Sequence, residues 1–128
     1  MEPKTIAYFL ILIFFSIVFI QSGIDKVVDK KGNMSFLLSH LGKAFPLTLI
    51  KIAFYVVTFL ELVSGLLCGL GLIQVLFFEQ KSVGLIGLVV GSLALLVLLF
   101  GQRVSKNYDG AKTITVYFIL SIAGVLLS

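Results

Sequence analysis

Apolar residues gather into four long runs separated by short polar stretches. The first, Thr5 to Ile24 (TIAYFLILIFFSIVFIQSGI), contains no charged residue. The second, Leu47 to Ile73, is interrupted by Lys51 and Glu61, and the third, Ser82 to Gly101, is again uncharged. The fourth fills the C-terminal stretch to Ser128. A helix that crosses a bilayer needs about 20 apolar residues, within a range of about 17–25. The runs therefore predict four spanning helices, at approximately 5–24, 47–73, 82–101 and 111–128. The expected architecture is all-α: one membrane domain, 1–128, folded as an antiparallel four-helix bundle with short connections. The first run exceeds the apolar core of a secretory leader, and no small-x-small cleavage site follows it. It is read as a span.

The first connection is the longest. Within it, NMSFLLSHLGKAFP places Met34, Leu37, Leu38, Leu41 and Phe45 at the spacing of one helical face. Asn33 is the expected N-cap, and Pro46 marks the corner into the second span. A short interfacial helix over approximately 34–45 lies along the membrane surface in this reading. The alternative is a loop tucked over the mouth of the bundle.

Small residues recur at helical spacing, which lets helices approach closely where lipid supplies no hydrophobic drive for association. Gly65 and Gly69 form a GxxxG pair in the second span. Gly84, Gly87 and Gly91 share a face of the third, and Ser121, Gly124 and Ser128 a face of the fourth. Packing within one bundle accounts for these stripes. A homodimer through the third span is the alternative.

Composition and charge add to this picture. The chain is 59% apolar and only 12% charged, with a mean hydropathy of +1.17; soluble domains average about 25% charged. Neither a disordered tail nor an ordinary soluble domain fits. The net charge of +4 does not point to nucleic acid, because the basic residues flank apolar runs. Lys26, Lys30, Lys31 and Lys43 lie in the first connection and Arg103, Lys106 and Lys112 in the third, against Lys4 and Lys81 on the other side. The positive-inside rule puts both basic connections in the cytoplasm and both termini outside.

Few residues carry chemistry. Glu61 lies near the middle of its span, where a carboxylate is expensive and rarely faces lipid. Its helical face also carries Thr58, Gly65 and Cys68, and the candidate partners from other spans are Lys26, Gln21, Ser22 and Tyr117. This intramembrane polar site either handles a proton or a polar ligand such as a quinone headgroup, or is a buried link that fixes bundle geometry. Lys26 is either an interfacial anchor or turns back toward the buried acid. The third connection, with Arg103, Tyr108 and Asp109, is either a solvated turn or a contact for an anionic headgroup or soluble partner. A single cysteine, Cys68, excludes an internal disulfide, and a lone His40 is a weak metal or haem signal. No nucleophile–base pair, phosphate loop or metalloprotease motif is present, so no catalytic residue and no metal site is assigned.

Three stretches resemble the DoxX-like family of small membrane proteins. FIQSGIDKVVD (Phe19 to Asp29) resembles the signature closing that family's first span, and ELVSGLLCGLGL (Glu61 to Leu72) its second-span pattern of an acid followed by small residues. QRVSKNYDGAKTITVYFIL (Gln102 to Leu120) is similar to the third connection and fourth span of small bacterial members. Gly23, Lys26, Glu61 and Gly65 carry over by motif position. The resemblance implies a four-helix membrane fold in a bacterial plasma (inner) membrane. It also implies an accessory or anchoring role in a membrane complex, since the family takes its name from a subunit of a thiosulfate:quinone oxidoreductase. Other membrane or membrane-associated subunits are the implied partners. With no intrinsic cofactor, redox chemistry would need a partner subunit or a bound quinone or lipid. The alternatives are a small proton-coupled transporter and a quinone-binding enzyme centred on Glu61.

Overall fold

The computed structural model describes all 128 residues as five helices: α1 (Pro3–Val28), α2 (Lys30–Leu41), α3 (Leu47–Phe78), α4 (Ser82–Val104) and α5 (Tyr108–Leu127). Four of them, α1, α3, α4 and α5, are long and apolar enough to cross a membrane. They form the expected helical bundle. Each span is longer than its apolar run; α5 begins three residues earlier than expected, at Tyr108, and ends one earlier, at Leu127. The largest extensions are at the C-terminal ends of α1, α3 and α4. Polar residues at span ends keep their backbone bonds by continuing the helix, so hydropathy alone underestimates length.

Consecutive spans run antiparallel. Between α3 and α4, Gly71 meets Gly84, Cys68 meets Gly87 and Ser64 meets Gly91, one turn of one helix matching one turn of the other. A Cβ on Gly71 would lie 2.7 Å from the Gly84 Cα, so the two backbones touch and neither position tolerates a side chain. Between α1 and α3, a Cβ on Gly65 would lie 3.0 Å from the backbone nitrogen of Ile20. Its GxxxG partner Gly69 is different: only the Ser16 hydroxyl comes near, at 3.9 Å. Between α4 and α5, Gly124 receives Leu88. The Gly84–Gly87–Gly91 face of α4 is thus occupied by α3 and by Tyr8, Leu12 and Phe19 of α1, and is turned inward.

The core is aromatic and aliphatic: Tyr8, Leu12, Phe15 and Phe19 from α1 pack with Cys68, Leu88 and Leu95. Buried hydroxyls link the helices. Ser64 donates to the Gly87 carbonyl at 2.6 Å, and Ser92 on α4 donates to Ser121 on α5 at 2.8 Å. The outer faces remain apolar, as with Ile17, Phe59, Leu66 and Val116, which suits contact with lipid tails.

The short helix α2 starts four residues earlier than its apolar pattern predicts. Asp29, not Asn33, is the N-cap, accepting from the Gly32 amide at 3.2 Å. Asn33 instead donates to the Asp29 carbonyl at 2.9 Å and to the Asp25 carboxylate at 3.3 Å, splicing α2 to the end of α1. The helix stops at Leu41, and residues 42–45 form a turn before Pro46 caps α3. The segment is a helix rather than a loop, and Phe36, Leu37 and His40 of α2 border a space shared with α3 and α4, so it roofs that end of the bundle.

Candidate functional site

The close approach at Gly65 and Gly23 sets α1 and α3 so that Lys26, in the last turn of α1, reaches Glu61 in the middle of α3. The Lys26 ammonium lies 3.1 Å from Oε1 and 3.3 Å from Oε2 of Glu61. It also donates to the Ser22 hydroxyl at 2.8 Å, one turn back on α1. Glu61 is 1% exposed and the Lys26 side chain 16%. Oε2 accepts the aligned hydrogen bond, while Oε1 shares the charge contact without one. In a low-dielectric surrounding such a pair is held by mutual neutralisation, and either member alone is strongly unfavourable.

Of the residues that the sequence offers for this site, Lys26, Ser22 and Glu61 come together. Thr58 shares the buried face of α3 but donates its hydroxyl to the Phe54 carbonyl at 2.7 Å. Gln21 does not join: it is exposed on the outer side of α1, beside Ile17 and Ile24. Tyr117 does not join either. It sits on α5 with its ring 5.7 Å from Phe14, and α5 packs on α4 and α1. The physical reason is the order of the helices: α3 lies between α1 and α4, and α5 closes the opposite side. Cys68 is fully buried against Gly87, a packing residue.

Next to the pair is a cavity of about 360 Å³ between the roof α2 and the ends of α3 and α4. Lys26 lines it; Glu61 lies behind Lys26 and does not. Aliphatic side chains such as Leu37, Ile50, Val57 and Leu98 make up much of the wall. Polar groups are few. His40 belongs to the roof, where its Nδ1 meets the Phe36 carbonyl at 2.8 Å and its ring lies 4.1 Å from that of Phe36. Gln102, near the end of α4, also lines the cavity, and its Oε1 is buried with no hydrogen-bond partner. A few polar groups set in a largely apolar cavity of this size are the usual make-up of a small-molecule site.

Gln102 and the aromatic residues of this cavity are absent from the sequence-derived site. Their apolar surroundings make them look like ordinary ends of a span, and only the placement of α2 brings them to one space. The third connection is solvated at Lys112 and Asp109, whose ion contact is 3.9 Å and fully exposed, while Arg103 stacks over Tyr108 at 4.8 Å. No group of three or more His, Cys, Asp and Glu side chains is placed to hold a metal ion.

The opposite end of the bundle has a second polar assembly, also not foreseen. The fully buried Tyr8 donates to the Lys81 carbonyl at 2.8 Å, and the Lys81 ammonium donates to the Leu127 carbonyl at 2.9 Å. Gln74 accepts from the Val83 amide at 2.9 Å and donates to Ser82 at 3.0 Å, bracing the turn between α3 and α4. Each of these polar side chains has a partner within the chain, so this assembly is a fastening.

Compared with known proteins, the chain matches no family model, no curated protein and no solved structure.

Proposed function

We propose that this protein is a DoxX-like accessory subunit of a membrane complex, one that works beside a redox partner and holds a lipid-soluble quinone for it. The observation that carries the reading is the Lys26–Glu61 pair, whose lysine borders a largely apolar cavity under α2. A charged pair is an expensive way to fasten two helices already locked by Gly65, and intramembrane ionisable groups are functional candidates by default. The chain offers a place to hold a molecule rather than a nucleophile and base to transform one, so the chemistry belongs to the partner.

In this reading the protein sits in a bacterial inner membrane. The end bearing Lys30, Lys31, Lys43, Arg103 and Lys106 faces the cytoplasm, following the positive-inside rule. That end, with its basic connections, is also the natural docking face for the partner. Proton-coupled transport is the weaker reading, because α1, α3, α4 and α5 are unbroken where transporter sites are typically built from interrupted helices.

The test is gentle detergent extraction after crosslinking in native membranes, with mass spectrometry of whatever travels stoichiometrically with the chain. A flavoprotein, cytochrome or other electron carrier is the expected companion. Recovery of the chain alone, or only with its own copies, overturns the accessory role.

A further inference from the structure

One side chain breaks the pattern of the bundle's outer surface. Over residues 6–24, 56–76, 86–100 and 116–126, every exposed side chain is apolar except that of Gln21 on α1. Its carboxamide makes no hydrogen bond within the chain, and the neighbouring Ser16 and Ser22 are engaged by the Leu12 carbonyl and by Lys26. Ile20 meets Gly65 and Gly23 meets Leu62 across the α1–α3 contact. Gln21 therefore lies within about one helical turn, roughly 5 Å, of the depth of Glu61. At that depth no water supplies the missing partners. A polar side chain so placed is matched by a group on another helix.

The rest of the face has the shape of a helix seam. Leu10, Ile17, Gln21, Ile24 and Val28 follow at intervals of seven, four, three and four residues. They run along the side of α1 opposite Tyr8, Leu12, Phe15 and Phe19, which enter the core. A 3.5-residue repeat keeps such a stripe facing one partner helix along its length, and a single amide within it fixes the register of the pair. A shallow open groove follows the stripe between Ser16 and Val28. Asp25 borders the groove but stands beside the stripe, where its carboxylate accepts from the Asn33 amide at 3.3 Å.

The partner that fits this face is a second copy of the chain. Copies inserted in the same orientation hold equal residues at equal depth. A two-fold axis along the membrane normal then sets α1 beside α1, with each Gln21 opposite the other. A carboxamide carries both donors and an acceptor. Two of them satisfy each other reciprocally, N–H to oxygen in both directions, where two ammonium or two carboxylate groups would repel.

We propose that the outer face of α1 is a homodimer interface, in which two copies pack about a two-fold axis with their Gln21 amides paired. The glycine face of α4, which the sequence offers as a dimer seam, is filled inside the bundle by α3 and α1. The interface falls on α1 instead. It stands apart from the accessory role, since a dimer forms with or without a redox partner.

The experiment uses the full chain in liposomes of phosphatidylethanolamine and phosphatidylglycerol. Ile17→Cys, Ile24→Cys, Phe59→Cys and Val116→Cys each place one thiol at an exposed position, and the chains are oxidised. The native Cys68 is enclosed, so the unsubstituted chain is the control. Disulfide dimers are expected from Ile17→Cys and Ile24→Cys and not from Phe59→Cys or Val116→Cys. Single-molecule photobleaching then counts copies as the protein-to-lipid ratio falls. Gln21→Leu should move the monomer–dimer midpoint about fivefold toward monomer, and Gln21→Asn should restore most of the dimer. The cysteine pattern decides the matter even if Gln21→Leu lowers the stability of the fold. Monomers at every ratio, disulfides at all four positions alike or only at the α3 and α5 positions, or an unchanged midpoint in a folded Gln21→Leu chain each overturns the interface. Capture of a different membrane protein by Ile17→Cys or Ile24→Cys in native membranes, with no self-disulfide, overturns the homodimer and leaves the accessory reading standing.

Discussion

At the Tyr8 end, the bundle is closed by polar groups that all find partners: Tyr8 on the Lys81 carbonyl, Lys81 on the Leu127 carbonyl, Gln74 on the Val83 amide. At the Lys26 end, a carboxylate is buried and not every buried polar atom finds a partner. Glu61 is almost wholly enclosed, and the Gln102 Oε1 has no partner. Both ends draw on one lysine and a few uncharged polar side chains. The difference is in the acceptors. Lys81 is satisfied by a backbone carbonyl that exists at any helix end, whereas Lys26 depends on a carboxylate that had to be placed mid-helix. Helix ends come with acceptors supplied, so fastening the helices does not by itself call for a buried acid.

This contrast can be broken most forcefully at the pair. Lys26→Met or Glu61→Leu alone should lower stability by about 3–5 kcal/mol, since each strands an unpaired buried charge. The double variant should recover most of that loss. Titration of unfolding in mixed detergent micelles reads all three, and a double variant no more stable than the singles would mean the pair itself supports the fold. A smaller effect is expected at the closed end. Tyr8→Phe removes one hydrogen bond to the Lys81 carbonyl and should lower stability by about 1 kcal/mol. A loss as large as that of the Lys26 or Glu61 single variants would erase the contrast between the two ends. The smallest effect concerns the turn beside Tyr8. Glu79 caps α3 in the left-handed region at φ 53°, where glycine is at ease and other residues are strained. Glu79→Gly should raise stability by about 0.5–1 kcal/mol in the same titration, and a decrease would show that the glutamate side chain is itself anchored.

Much of the fold was legible because bilayer crossing imposes a single strong rule on residue type. The four spans, the corner at Pro46 and the inward stripe Phe54–Thr58–Glu61–Gly65–Cys68 all follow from it. Glu61 was legible for the same reason: a charge in hydrocarbon is conspicuous. Its partner was less so, since Lys26, Gln21, Ser22 and Tyr117 satisfy the sequence criteria alike. Choosing among them needs the rotation of each helix about its axis and the order of helices around the bundle. Those depend on close contacts such as Gly71 on Gly84 and Gly65 on Ile20, which a periodic stripe does not distinguish from a looser one such as Gly69. The start of α2 was misjudged because Asp29 and Asn33 are both good capping residues, and the chain uses one as the cap and the other as a splice to α1.

The length of α3 has a consequence for how deep in the bilayer the cavity lies. Its 32 residues make a rod of about 48 Å, against a hydrocarbon core of about 30 Å. The helix must lean or overshoot. Counted from Glu61, the residues Ala53 to Leu49 that border the cavity lie about 12–18 Å farther along the axis. With Glu61 near the midplane, the hollow lies in the outer part of one leaflet, close to the headgroups. A thinner or thicker membrane would shift that mouth relative to the lipid carbonyls, making bilayer thickness a variable that governs how readily a molecule dissolved in that leaflet can enter.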